Sequence, residues 1–110
     1  MGASKIIDYS AEELLIAKFA KALSHPARVA IIHLLMQKQS CMCGDIVEDL
    51  PIAQSTVSQH LKELKESGLI KGNIDGASIC YCVDTEVLDK ANAIFNTLLS
   101  ATIQTPSTCC

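Results

Sequence analysis

Apolar residues recur along this chain with a helical period over most of its length and with a two-residue period in one short stretch. Ser10 followed by Glu13 fits an S-x-x-E capping box and opens a first helix that runs to about Leu23. Its apolar positions Leu15, Ile16, Phe19, Ala20 and Leu23 form a broad stripe. Ser24 is expected to cap a second helix, with Pro26 in a first turn that needs no amide donor there. Residues Ala27 to Met36 are apolar except for Arg28 and His33, which predicts a central helix buried on most sides. After polar Gln37 to Ser40, Cys41 to Cys43 reads as a short extended piece, followed by a third helix over about Gly44 to Leu50. Pro51 breaks the chain, and a fourth helix spans about Gln54 to Ser67, with Gly68 as a left-handed stop. The period then changes to two: Leu69 to Ile74 and Ala77 to Val83 flank Asp75-Gly76, a hairpin signal. A last helix starts at Asp84 or Thr85 and runs to about Ser100, with Val87, Ala91, Ile94, Phe95, Leu98 and Leu99 apolar.

This order predicts a mainly α fold with a small β-hairpin, a winged helix-turn-helix of the form α-α-(β)-α-α-β-β-α. Residues 1–9 are expected to be a flexible arm, 10–100 a single DNA-binding and dimerisation domain, and 101–110 a mobile tail carrying cysteines. In the fourth helix Val57, Leu61 and Leu64 stack on one face. At about 100° per residue the opposite arc collects Ser55, Ser58, Gln59 and Lys62. Short hydrogen-bonding side chains with one cation suit the floor of the DNA major groove, where base edges present donors and acceptors. Gln54, Ser55, Thr56, Ser58, Gln59 and Lys62 are therefore the candidate DNA contacts. The hydroxyls and Lys62 are assigned to phosphates, and Ser58 and Gln59 to base edges. The alternative for this arc is an ordinary solvated helix face. Both terminal helices carry apolar faces that one small domain has nothing to cover. A two-fold homodimer would bury them and present two reading helices to half-sites a helical turn or a multiple of it apart.

Composition sharpens this picture in two places. Of 110 residues only four are aromatic (two Tyr and two Phe), so the core must be aliphatic. A net charge of −3 gives no support to a phosphate-binding role, although Lys62, Lys65 and Lys71 slightly outnumber Glu63 and Glu66 around the fourth helix. No run reaches the roughly 18 apolar residues of a membrane span, and the N-terminus lacks a secretory pattern, so a cytoplasmic protein is expected. In that compartment six cysteines are better suited to metal binding or redox work than to structural disulfides. They occur as three neighbouring pairs: Cys41/Cys43, Cys80/Cys82 and Cys109/Cys110.

Thiolates are soft ligands, and residues i and i+2 point the same way only in extended chain. Cys41 and Cys43 can therefore share one ion only where the segment is extended or unwinds, and such binding would disturb the entry to the third helix. The duller reading makes them two small buried hydrophobes. Cys109 and Cys110 are candidates for completing the site, from either subunit, or else are dispensable exposed thiols. Cys80 and Cys82 share one face of the second wing strand, expected to be its outer face, as surface residues or as a second thiol or redox site. His60, near the edge of the apolar arc, reads as packed or phosphate-contacting, and His25 and His33 as structural. Ser55 and Thr56 have no Asp/His partners in suitable context, so the chain is not expected to be an enzyme.

The segments ALSHPARVAIIHLL, CMCGDIVEDL, QSTVSQHLKELKESGLI and ICYCV together resemble the arsenic-repressor (ArsR/SmtB) family of metal-sensing repressors, over about Leu15 to Val83. The resemblance implies a homodimeric winged-helix repressor on an inverted-repeat operator, released when a metal or metalloid occupies its sensor site. Arsenic-responsive members often carry Cys-x-Cys at the start of the third helix, where Cys41 and Cys43 stand. Gly44 is a departure, because it is inserted before Asp45-Ile46 and shifts the helical phase. Cadmium- or lead-responsive members add cysteines from the N-terminal arm, yet residues 1–40 contain none. Zinc-responsive members use Asp and His on the last helix, yet residues 84–100 contain no His. What the resemblance then favours is a thiolate set for trivalent arsenic, or antimony, as inducer, with no cofactor needed for DNA binding. Sensing of cadmium, lead, zinc or an oxidant or persulfide by the same module is the alternative.

Overall fold

In the computed structural model, residues 8–38, 50–75 and 78–100 are described. Helix α1 (Ala11–Ala22) is followed by α2 (Pro26–Lys38), α3 (Gln54–Ser67), strands β1 (Ile70–Asp75) and β2 (Ser78–Val83), and α4 (Thr85–Leu99). The expected third helix lies, except for Leu50, outside the described residues, as do the arm up to residue 7 and the tail 101–110. Among the described residues the architecture is four helices with a two-stranded antiparallel hairpin directly behind α3, which is the arrangement of a winged helix.

Each element starts and stops for a local reason. At α1 the Ser10 hydroxyl accepts from the Glu13 amide while the Glu13 carboxylate accepts from the Ser10 amide, a complete capping box. The start of α2 differs from expectation. Ser24 turns back and donates its hydroxyl to the Lys21 carbonyl, closing α1, and the cap falls to His25, whose Nδ1 accepts from the Ala27 amide at 3.0 Å. The α3 helix ends at Gly68, whose φ of 88° is left-handed and whose amide donates to the Lys65 carbonyl. The hairpin ladder runs as far as Asp75↔Ser78, so Asp75 belongs to β1 and not to the turn that the Asp75-Gly76 signal implied. Asp84 begins α4 by accepting from the Val87 amide.

The core is aliphatic around one phenylalanine. Phe19 from α1, Ile31, Ile32 and Leu35 from α2, Val57, Leu61 and Leu64 from α3, and Leu69 and Ile70 at the root of the wing are buried together. Two expectations of burial fail in part. The α2 helix is not enclosed on most sides, because Val29, His33 and Met36, at i, i+4 and i+7, are exposed. The terminal helices are not wholly without cover either: α1 packs on α4, with the Phe19 and Phe95 rings 6.5 Å apart and tilted by 57°. Beyond that contact Leu14, Leu98 and Leu99 remain exposed. No helix among the described residues is long and apolar enough to cross a membrane.

Candidate nucleic-acid interface

The polar arc of α3 faces solvent. Gln54, Ser55, Thr56, Ser58, Gln59 and Lys62 are all exposed, while Val57, His60, Leu61, Leu64 and Ser67 on the other side are buried. The helix periodicity produces this separation, and the packing of Val57, Leu61 and Leu64 into the core fixes its azimuth. Ala53 stands at the N-cap and provides no side-chain hydrogen bond to the first turn. The Thr56 amide donates instead to the Ala53 carbonyl, and the helix dipole favours an anion beyond this end. The buried Ser67 hydroxyl donates to the Leu64 carbonyl at 2.6 Å and accepts from the Leu69 amide, and the Asp84 amide donates to the Leu69 carbonyl. These bonds tie the exit of α3 to both strands of the wing.

A brace at the middle of α3 escaped the sequence reading. Arg28 of α2 donates from Nε to Nδ1 of His60 at 3.0 Å and from Nη1 to the Lys21 carbonyl at 3.1 Å. The His25 ring lies 4.5 Å from the His60 ring, centroid to centroid. One guanidinium thereby joins the end of α1, the start of α2 and the middle of the reading helix. With Nδ1 accepting, a neutral His60 carries its proton on Nε2, which is buried without a hydrogen-bond partner among the described residues. Burial lowers the His60 pKa from its ordinary value, and the neighbouring His25 and Arg28 charges lower it further. His60 is therefore packed, one of the two readings given for it, and is not part of the exposed arc of α3. Within the S-H-P-A-R run His25 caps, Pro26 opens the helix and Arg28 supplies the brace.

The candidate sensor residues Cys41, Cys43, Cys109 and Cys110 lie outside the described residues. Among the described residues no group of three His, Cys, Asp or Glu side chains is gathered as a metal would need. The wing cysteines depart from expectation. In the register Cys80 faces Asn73 and Cys82 faces Lys71. Asn73 and Lys71 are exposed, as an outer face should be, yet Cys80 is only 6% exposed and Cys82 is half-buried. Both Cys80 and Cys82 are disulfide-bonded, against the expectation that structural disulfides are absent, and the Asn73 side-chain amide lies 3.8 Å from the Cys82 sulfur as donor.

Comparison with known proteins places this geometry in a family. Residues 25–71 match the model for bacterial regulatory proteins of the arsR family, a span from the His25 cap through α3 into the wing. The chain is 34% identical over 82 residues to the HTH-type transcriptional regulator YgaV of Escherichia coli K12, covering 74% of this chain and 80% of that protein. It is 35% identical over 72 residues to the arsenical resistance operon repressor of Staphylococcus xylosus, covering 66% and 68%. An ArsR-like transcriptional regulator from Rhodococcus sp. RHA1 shares the fold with a TM-score of 0.72 at 21% identity, over 83% of this chain and 85% of that one. The chain belongs to the arsR family of bacterial regulatory proteins, which are transcriptional regulators and not enzymes. It is a winged-helix transcriptional regulator of that family.

Proposed function

We propose that this protein is a metalloid-responsive repressor, acting in the cytoplasm, that binds an inverted-repeat operator as a homodimer and leaves it when trivalent arsenic or antimony occupies cysteine thiolates. The observation that carries the DNA half is the sorting of α3 into a fully buried apolar face and an exposed arc of Gln54, Ser55, Thr56, Ser58, Gln59 and Lys62. Gln59 and Ser58 read base edges from that arc, Gln54, Ser55 and Thr56 hold phosphates near the helix start, and Lys62 holds one about two turns further on. The apolar ends of the terminal helices, Leu14, Leu98 and Leu99, supply the dimer contact. Support for the inducer half comes from the arsenical resistance operon repressor among its relatives and from the thiol pair Cys41/Cys43 just ahead of the helix-turn-helix. Cys109 or Cys110 supplies a further thiolate.

Two thiolates at i and i+2 that grip one soft atom require the chain between them to be extended. That demand acts on the segment leading to α3, and a shift there moves the reading helix against the groove. The bridged wing cysteines favour a second reading, in which the same repressor answers to an oxidant. Titrating operator release separately with arsenite, cadmium, zinc and an oxidant decides between them. Release by arsenite in the reduced protein is expected, with Cys41→Ser/Cys43→Ser keeping operator affinity and losing that release. Full arsenite release from the double variant would move the sensor elsewhere, and release by oxidant alone would replace the inducer.

A further inference from the structure

We propose that Lys65 is a further phosphate contact and that Gly72 seats it, the bare strand position holding the Lys65 ammonium at the junction of α3 and the wing. This rests on the reading of α3 as the helix that enters the major groove. Glycine inside a strand weakens it and marks a bulge, a tight bend or a close approach. The ladder runs unbroken through Gly72↔Tyr81, so neither bulge nor break is present at this position. Among the described glycines the positive φ belongs to Gly68, so backbone conformation does not demand glycine at position 72 either. Close approach is what remains. A Cβ on Gly72 would stand 3.2 Å from Ile79 Cγ2, 3.3 Å from Tyr81 Cε1 and 3.6 Å from Lys65 Nζ.

The face of β1 that carries Gly72 also carries Ile70, which is buried in the core beside α3. Lys65 comes to it from the last turn of α3, is exposed, and makes no ion pair among the described residues. The two acids of this helix lie elsewhere: Glu63 and Glu66 line a groove with Lys18 and Lys21 of α1. At about 100° per residue they stand roughly 160° and 100° around the helix from Lys65. The charge left at the wing junction is therefore positive. Lys65 is six residues beyond Gln59, about 9 Å along the axis at 1.5 Å per residue, and the major groove is about 12 Å wide. A lysine that far from a base-reading position meets the phosphate wall of the groove and not its floor.

Held between helix and strand before contact, the Lys65 side chain has less freedom to lose when it meets a phosphate. A methyl at position 72 would force Tyr81 and Ile79 back by a few tenths of an ångström and would cover one side of the ammonium. Less room would remain there for a phosphate oxygen. Lys65 is thus the contacting group, and Gly72 is a positioning residue that acts through it.

The test titrates the full-length protein onto two duplexes, one from the promoter of its own gene and one unrelated, at salt concentrations from about 50 to 200 mM. Lys65→Ala should weaken binding to both alike. Its slope of log affinity against log salt should be shallower by about 0.9, so the wild-type advantage shrinks about 3.5-fold across that range. Lys65→Arg should keep the wild-type slope, because it keeps the charge. Gly72→Ala should weaken binding by no more than Lys65→Ala does, and should add nothing in the Lys65→Ala background. A wild-type slope in Lys65→Ala overturns the phosphate contact. Gly72→Ala that leaves affinity unchanged, or that costs as much in the Lys65→Ala background as alone, overturns the seat. Thermal melting checks that each variant is folded, and the Lys65 variants, altered at an exposed side chain, decide the contact even where Gly72→Ala does not fold. Wild type that binds neither duplex overturns the groove reading itself and the seat with it.

Discussion

Helices α3 and α4 are nearly matched in length, at 14 and 15 residues, and both are amphipathic, yet the protomer treats them differently. Val57, Leu61 and Leu64 of α3 are closed off completely or almost so. Of the α4 stripe only Ala91 is buried, Val87, Leu88, Ile94 and Phe95 are half-covered, and Leu98 and Leu99 are 52% and 78% exposed. The difference separates two tasks. A reading helix must have a fixed azimuth before it meets DNA, so its seat is built within one chain. An apolar helix end left open is instead the surface that the proposed dimer would cover.

Breaking the seat should have the largest effect. Leu64→Ala removes a fully buried side chain from the core cluster that α3 shares with α1 and α2 and should cost about 2–5 kcal/mol of stability, read from urea unfolding. A loss below 1 kcal/mol would mean that α3 is not seated as described. Next comes the other side of the comparison. Leu98→Ser/Leu99→Ser should leave helix content intact while raising the dimer dissociation constant roughly 10–100-fold, about 1.4–2.8 kcal/mol, by sedimentation. An unchanged dimer, or a monomeric wild type, would assign the open end of α4 another purpose.

Effects on the exposed arc should be smaller and specific. Gln59→Ala should lose about 1–3 kcal/mol of discrimination for operator over unrelated DNA, with thermal stability unaltered because Gln59 is exposed. Lys62→Ala should weaken binding to all sequences alike and flatten the salt dependence by about one ion. If Gln59→Ala instead weakened both kinds of DNA equally, its role would be phosphate contact.

How legible this was depended on whether a residue's neighbours are near in sequence. Helix spacing placed Val57, Leu61 and Leu64 inside and the arc from Gln54 to Lys62 outside, because a helix face depends only on the residues of that helix. Gly68 was legible for the same reason, as a left-handed position favours glycine whatever surrounds it. The Arg28–His60 bond spans 32 positions, and no local pattern announces it. At α2 the run from Ala27 to Met36 gave composition without saying which neighbours would be present, so the exposed stripe of Val29, His33 and Met36 was not foreseen. Ser24 and His25 were two adjacent candidates for one cap, and tertiary packing chose the histidine through its ring contact with His60. The burial of Cys80 was beyond reach because alternation along a strand gives its faces and not what lies across its edge.

The brace offers the finest test of how firmly α3 is seated. The His60 pKa lies below 6.5 in the folded protein, so between that lowered value and 6.5 the unfolded chain binds the proton more readily. Stability from this group is therefore present above pH 6.5 and is lost as pH falls below it through the folded pKa. Two charged or titratable groups face the ring: Arg28, whose Nε donor occupies the nitrogen that protonation would need, and His25, stacked at its side. Other groups titrate in the same range, so the useful quantity is a difference between two proteins. Gln at position 60 can still accept from Arg28 but takes no proton. Wild type should lose more stability than His60→Gln between pH 7.5 and 5.5, measured as the fall in the urea midpoint. Equal falls in the two proteins would mean that His60 titrates as freely when folded as when unfolded, and the brace would then not hold it neutral.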